Sequence, residues 1–295
     1  MATPRVEIDL EKIVHNARLL KAHYGAKGIK IIGVTKVVCG NVAIAKALVS
    51  NGIHILADSR IQNIKRMRQA GVKAEFVLLR TPLQSELEEV VAFADISHNT
   101  ELSIIKRLSS IAIEQGLVHK IILMVELGDL REGILPDDLG PIIDKIQQLA
   151  GIKLVGLGTN LACFGGVMPS EENMSQLSDL VEALEQQFAL EFEYISGGNS
   201  ANYNWFQTTK NVGRTNYLRL GESIFLGTEP LFRKQISDLF IDAFTLVAEV
   251  IESKSKPSIP YGAIGQDAFG NIPEFKDHGQ LNRAIAGVGL QDVAV

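Results

Sequence analysis

The sequence predicts an α/β fold: a (β/α)8 TIM barrel followed by a small C-terminal β domain. Two observations carry the barrel. Eight short apolar segments begin near Lys30, Ile53, Glu75, Ala94, Lys120, Ile152, Glu191 and Tyr217, with seven helical stretches between them. The segments are apolar enough to be buried on both faces, as parallel strands are, and eight β/α units over about 200 residues suit such a barrel. The third observation is that the alternation stops after about Gln235, where only strand-like segments remain. Domains are therefore expected at 1–235 and 236–295. A doubly wound open sheet is the structural alternative before motifs are considered.

Each element has a local reason. An opening strand, Val6–Leu10, leads into a helix that sets Leu10, Ile13, Ala17 and Leu20 on one face. Lys30–Val37 is β-branched and apolar, a strand. Asn41–Asn51 is a helix ended by Gly52, and Ile53–Ala57 a strand. Ser59–Ala70 is a helix ended by Gly71. Glu75–Leu79 is a strand and Gln84–Val91 a helix after Pro82. Ala94–Ser97 is a strand, and Asn99 caps a helix running to Gln115. Lys120–Leu127 is a strand; Asp138–Ala150 is a helix with Pro141 near its start. Ile152–Leu157, Glu191–Ser196 and Tyr217–Leu220 complete the strands, separated by a long helix over Ser170–Phe188 and another from about Asn199. Beyond them, Asp242–Glu252 and Ala284–Val288 are strands in a domain of about 60 residues, marginal for an independent core.

Composition narrows the function classes. The 295 residues are 46% hydrophobic and 21% charged, with net charge −5, an ordinary globular balance and a poor nucleic-acid or anionic-membrane binder. The densest basic group, Lys65-Arg66-Met67-Arg68, has helical spacing and reads as solvated surface. No apolar run approaches the roughly 18 residues of a membrane span, the first residues lack the form of a signal peptide, and two cysteines are too few for a disulfide framework. A cytoplasmic protein is expected. The six histidines form no close pair, so no metal site is expected.

Barrel active sites are built from the C-terminal ends of strands. The first barrel strand ends in Val34-Thr35-Lys36-Val37-Val38-Cys39-Gly40. A charge within an apolar strand is expensive unless used, and a desolvated lysine is the usual source of a Schiff-base amine; snorkelling at the barrel mouth is the equal alternative. After the strand at Lys120 comes Asp129-Leu130-Arg131-Glu132-Gly133, in which Arg131 either reaches over the mouth or makes a surface ion pair. Asn160, at the end of the strand from Ile152, either points into the site or caps its loop. Gly197-Gly198-Asn199-Ser200 offers backbone N–H groups to a phosphate, and Arg219-Leu220-Gly221-Glu222 ends the last strand, where barrels often hold phosphate. Together these place a phosphate site across the barrel from a buried lysine.

The opening Val-Glu-Ile-Asp-Leu-Glu-Lys-Ile-Val-His-Asn, the strand Val-Thr-Lys-Val-Val-Cys-Gly, the segment Gly-Thr-Asn-Leu, the Ser-Gly-Gly-Asn-Ser turn and the Arg-Leu-Gly-Glu strand end resemble alanine racemase-like enzymes, the barrel class of pyridoxal 5′-phosphate (PLP) enzymes. The nearest branch is the ornithine-racemase type. The resemblance implies a PLP-dependent racemase of a free amino acid, cytoplasmic and homodimeric. On that resemblance, Lys36 matches the lysine that carries the cofactor as a Schiff base and serves as one base. Arg131 helps place the substrate carboxylate. Asn160 stands where alanine racemases carry a histidine against the pyridine ring. Asn199 and Ser200, with Gly221 and Glu222, form the phosphate site, and Arg219 faces the pyridine nitrogen.

Two departures from that pattern are visible. The family's opposing tyrosine, in a Gly-Tyr-x-Asp pattern, corresponds to Leu290 in Gly289-Leu290-Gln291-Asp292, and leucine moves no proton. Tyr261, Asp267, His278 and Asp292 are the remaining candidates. The chain also stops at Val295, within what the family continues as a longer β domain, so it is a shortened protein or a fragment. Two other functions compete: a non-catalytic PLP-binding or homeostasis protein, and a PLP-dependent D-amino-acid aldolase, whose chemistry needs a metal. Glu126, Asp129 and Asp267 are possible partners for a basic substrate side chain, with surface acids the simpler reading.

Overall fold

A computed structural model describes residues 2–293. The chain divides into two compact units. One is Leu10–Ala243; the other joins the segment through Asp9 to the residues from Phe244 onward. The division differs from the expected one at 235/236, for two reasons. Strand β1 (Arg5–Ile8) pairs antiparallel with Phe244–Val247, not with the barrel. Residues 236–243 remain with the barrel unit, where Ile236, Leu239 and Ala243 are buried. Asn16, fully buried in helix α1 (Leu10–Gly25), holds them: its amide accepts from Phe240 N at 2.8 Å and donates to Phe240 O at 2.8 Å.

The larger unit is a closed barrel of parallel strands, β2 (Lys30–Val34), β3 (Ile55–Asp58), β4 (Glu75–Leu78), β5 (Ile96–Asn99), β6 (His119–Val125), β7 (Ile152–Thr159), β8 (Tyr194–Asn199) and β9 (Tyr217–Leu220). Alternate residues face inward. Ile32, Val34, Ala57, Val77, Ile96, Ile122, Met124 and Val155 form the interior, and each fully buried aliphatic side chain contributes roughly 1.5–3 kcal/mol. Tyr194 and Tyr217 belong to the same cluster with their rings 4.8 Å apart, and the Tyr194 hydroxyl donates to Glu75 at 2.7 Å. Helices cover the outside; Glu171–Phe188 begins with a reciprocal cap between Ser170 and Asn173. No helix among the described residues is long and apolar enough to cross a membrane.

Three expected elements differ. The strand read over Lys30–Val37 ends at Val34 and gives way to a 3-10 turn, Lys36–Val38. Asn99 is not a cap: it is the buried last residue of β5, and the helix Leu102–Glu114 starts from Glu101 without a side-chain cap. The strand read over Asp242–Glu252 is two, β10 (Phe244–Val247) and β11 (Val250–Pro257). β11 pairs antiparallel with β12 (Gln280–Ala286), whose residues are all exposed.

Two buried histidines make the barrel acid-sensitive. His119 is 3% exposed, with Nε2 2.8 Å from Ser97 Oγ, and burial pushes it down to about 4. Burial and the Arg219 charge hold His98 well below the usual histidine range. Between pH 6.5 and about 4 the unfolded chain protonates His119 while the folded one does not, so stability falls with falling pH. His119 alone removes about 3 kcal/mol across that window, with His98 adding in the same direction. Denaturant midpoints measured at both ends should drop at the acid end, and His119→Gln should flatten the slope. An unchanged slope in that variant would assign the acid sensitivity elsewhere.

Candidate active site

Five strand ends, those of β2, β6, β7, β8 and β9, bring the predicted side chains together. The turn after β2 is fixed from beneath. Thr35 is buried; its N–H donates to Ala57 O and its hydroxyl to Asp58 Oδ2, both at 2.8 Å. The other Asp58 oxygen accepts from Arg60 N and Asn63 Nδ2 at 3.0 Å. Gly40 follows at φ +61°, where a Cβ would stand 2.7 Å from Asn63 Cβ, so only glycine fits. Lys36 projects from this rigid turn. It lies beyond the strand and is exposed at the barrel mouth, not buried within an apolar strand. The β-branched, apolar character continuing into Val37 hid the end of the ladder.

Arg219, on β9, is 4% exposed and donates to Ser196 Oγ, Asn160 Oδ1 and, at 2.8 Å, Thr159 O. Burial pushes it down to about 10, and the charge of Arg131 adds to that. It therefore stays protonated at neutral pH. Arg131 comes from the excursion between β6 and its return at Ile134. Glu126 Oε1 accepts from Gly128 N at 2.6 Å and Leu130 N at 3.0 Å, and Leu130 adopts φ +53° immediately before Arg131. Arg131 pairs with Glu132, which raises its pKa further. Both readings of Arg131 thus meet in one residue, an ion pair at the barrel mouth.

The phosphate-type turn is held by side chains. Asn199 Oδ1 accepts from Ala201 N at 2.8 Å, its amide donates to Leu161 O at 2.9 Å, and Gly198 takes φ +138°. The Ser200 hydroxyl lies 3.1 Å from that of Ser223 and accepts from Ser223 N at 3.3 Å. Gly221 leaves room beside β2: a Cβ there would meet Val34 at 3.2 Å. Glu222 pairs with Arg233.

Lys36, Arg131, Asn160, Asn199, Ser200, Arg219, Gly221 and Glu222 all line one cavity of about 170 Å³, with Cys163 and Pro230. Its three cations, the Ser200 hydroxyl and the glycine at the start of the short helix Glu222–Leu226 suit a small anionic ligand bearing a phosphate. One expectation is corrected. The phosphate-type turn is not across the barrel from the lysine: closure pairs β9 with β2, Ile32 opposite Arg219, so Gly221 and Glu222 sit at the neighbouring strand end and the Ser200 turn, after β8, is one strand further.

Sequence reasoning missed Glu132 and Ser223. Ser223 had a signal, lying directly after the Gly221-Glu222 pair; Glu132 had none beyond the surface ion pair considered for Arg131. The acids considered for a basic substrate are occupied. Glu126 holds its own loop. Asp129 is 1% exposed and accepts backbone N–H groups of Cys163, Phe164 and Val167. Asp267, in the other unit, caps its own turn through Phe269 N and Asn271 N.

The fold is a barrel whose mouth gathers a lysine, two arginines and a serine–glycine turn around one cavity. The family pattern described as alanine racemase, N-terminal domain, matches residues 8–229, and the chain belongs to that family. It is 40% identical over 293 residues to the ornithine racemase of Acetoanaerobium sticklandii and 39% identical over 293 residues to the lysine racemase of Thermotoga maritima. Each alignment covers 99% of this chain and 82% of the relative. Among solved structures, the alanine racemase of Streptomyces coelicolor superposes with TM-score 0.76 at 18% identity, over 95% of this chain and 73% of that one, which shows a shared fold.

Proposed function

We propose that the chain is a PLP-dependent amino-acid racemase acting on a basic amino acid, ornithine or lysine. The observation that carries the reading is the single cavity that gathers a lysine, two arginines and a serine–glycine phosphate turn in a chain 40% identical to an ornithine racemase. Lys36 would hold the cofactor's carbonyl carbon, Ser200 with the Gly221 and Glu222 backbone would hold its phosphate, and Arg219 would face its ring nitrogen. When bound, PLP supplies electron withdrawal that acidifies the substrate Cα–H. The chain's own residues do the rest. Arg131 would orient the substrate carboxylate, Asn160 would lie beside the cofactor, and Lys36 Nζ would move the proton on one face of Cα.

The opposite face needs a second proton-transfer group. Of the four candidates, Asp267 and Asp292 accept from their own turns, Asp292 Oδ2 from Gly289 N at 3.1 Å. That favours Tyr261, 93% exposed, or His278. The protein would act as a homodimer in which this group serves a second copy. Tyr261→Phe and His278→Gln should separate them: the true donor's loss slows Cα–H exchange from one enantiomer far more than from the other. Equal exchange from both enantiomers in both variants would eliminate the pair. Sedimentation showing only monomer at micromolar concentration, with full activity, would rule out the dimer.

The reading is tested by incubating the purified chain with PLP and L-ornithine, L-lysine or L-alanine and resolving the enantiomers by chiral chromatography. D-ornithine or D-lysine is expected in preference to D-alanine. Preference for alanine would overturn the substrate class.

A further inference from the structure

We propose that Glu132 is a positioning residue that ties the two arginines of the site into one hydrogen-bonded chain through Asn160. This deepens the racemase reading and rests on it. The Glu132 carboxylate accepts from three donors: Arg131 Nη2 at 2.6 Å and Asn160 Nδ2 on one oxygen, and Arg131 Nε on the other. Asn160 Oδ1 then accepts from Arg219 Nη2. The chain runs Arg131–Glu132–Asn160–Arg219 without a gap.

A carboxylate is the group that fits this position, because it accepts on both oxygens and donates nothing. An amide there would turn an N–H toward a donor. The chain also settles the orientation of Asn160. With a guanidinium on one side and a carboxylate on the other, its oxygen faces Arg219 and its nitrogen faces Glu132. Arg131 spends its Nε–Nη2 edge on Glu132, and the Cys163 side chain is its other partner at the cavity. Electrostatically, one anion separates two cations. Burial and the Arg131 charge work to remove the Arg219 proton, while Cys163 and Glu132 work to keep it.

The test compares Glu132→Gln and Glu132→Asp with the parent, first without cofactor. Phenylglyoxal labels free guanidinium groups, and peptide mass spectrometry locates the label. Arg131 should label severalfold faster in both variants, while Arg219, 4% exposed, stays slow. In the PLP-loaded enzyme, Glu132→Gln should raise substrate KM more than it lowers kcat and move the alkaline limb of kcat/KM down by about one pH unit. Glu132→Asp, which keeps the charge, should move KM but leave that limb near the parent's. Glu132→Gln/Asn160→Asp, which returns a carboxylate between the arginines, should restore the limb while Arg131 stays exposed to label. Unchanged Arg131 labelling and an unmoved limb in Glu132→Gln would overturn the proposal. If labelling shifts as expected but neither parent nor variant racemises any amino acid, the hydrogen-bonded chain stands and the racemase reading fails.

Discussion

Lys36→Ala should lose covalent attachment of PLP and at least about 10³-fold in racemase activity, because one substitution removes both the cofactor's anchor and a base. Fold stability should change little. Lys36 is exposed, and the turn that carries it is held by Thr35, Asp58 and Gly40 rather than by its side chain. Borohydride reduction of the PLP-loaded parent should fix the cofactor on the peptide containing Lys36, and the variant should show no reducible adduct. An adduct on a different lysine in the variant would reassign the site, and Lys27 serves as the control, since its ammonium is already spent on Phe206 O and Thr209 O at 2.7 Å.

Arg219→Glu should change the kind of reaction as well as its rate. The proposed site sets this guanidinium against the cofactor's ring nitrogen. It would donate there and disfavour a second positive charge; a carboxylate would accept instead and favour protonation. Racemisation should fall on the order of 10²-fold, and keto acid from transamination should rise as a fraction of product. Thr159 O and Asn160 Oδ1 also lose their donor, so some stability loss is expected. Arg219→Lys separates the two effects: it keeps a cation but loses the fork, so it should destabilise without raising keto acid. In the parent, activity should decline as pH rises through about 10, where Arg219 gives up its proton. Product ratios identical in parent and Arg219→Glu would contradict this role.

The barrel was legible because parallel strands buried on both faces leave apolar runs at regular spacing, and every strand from Lys30 to Tyr217 was located to within a few residues. What was not legible depended on contacts distant in sequence. Nothing local says that Val37 and Val38 leave the sheet; the turn is set by Asp58 and Asn63, which lie more than 20 residues on. Residues 236–243 carry no helical or strand period, yet a buried asparagine in α1 fixes them to the barrel. Glu132 looked like any surface acid beside an arginine. Its meaning comes from Asn160, 28 residues away across the mouth. The acids considered as possible partners for a basic substrate, with surface acids the favoured reading, are loop staples, because carboxylates beside glycine-rich turns find backbone N–H groups first.

The most direct measurement is Cα–H exchange in deuterium oxide. The purified chain, loaded with PLP, is given L-ornithine or L-lysine, and deuterium at Cα and the D-enantiomer are followed together by mass spectrometry and chiral chromatography. The proposed mechanism predicts that deuterium enters Cα, that the D-enantiomer accumulates toward an equal mixture, and that Lys36→Ala abolishes both. PLP held covalently at Lys36 with neither deuterium uptake nor D-enantiomer from any amino acid offered would contradict it.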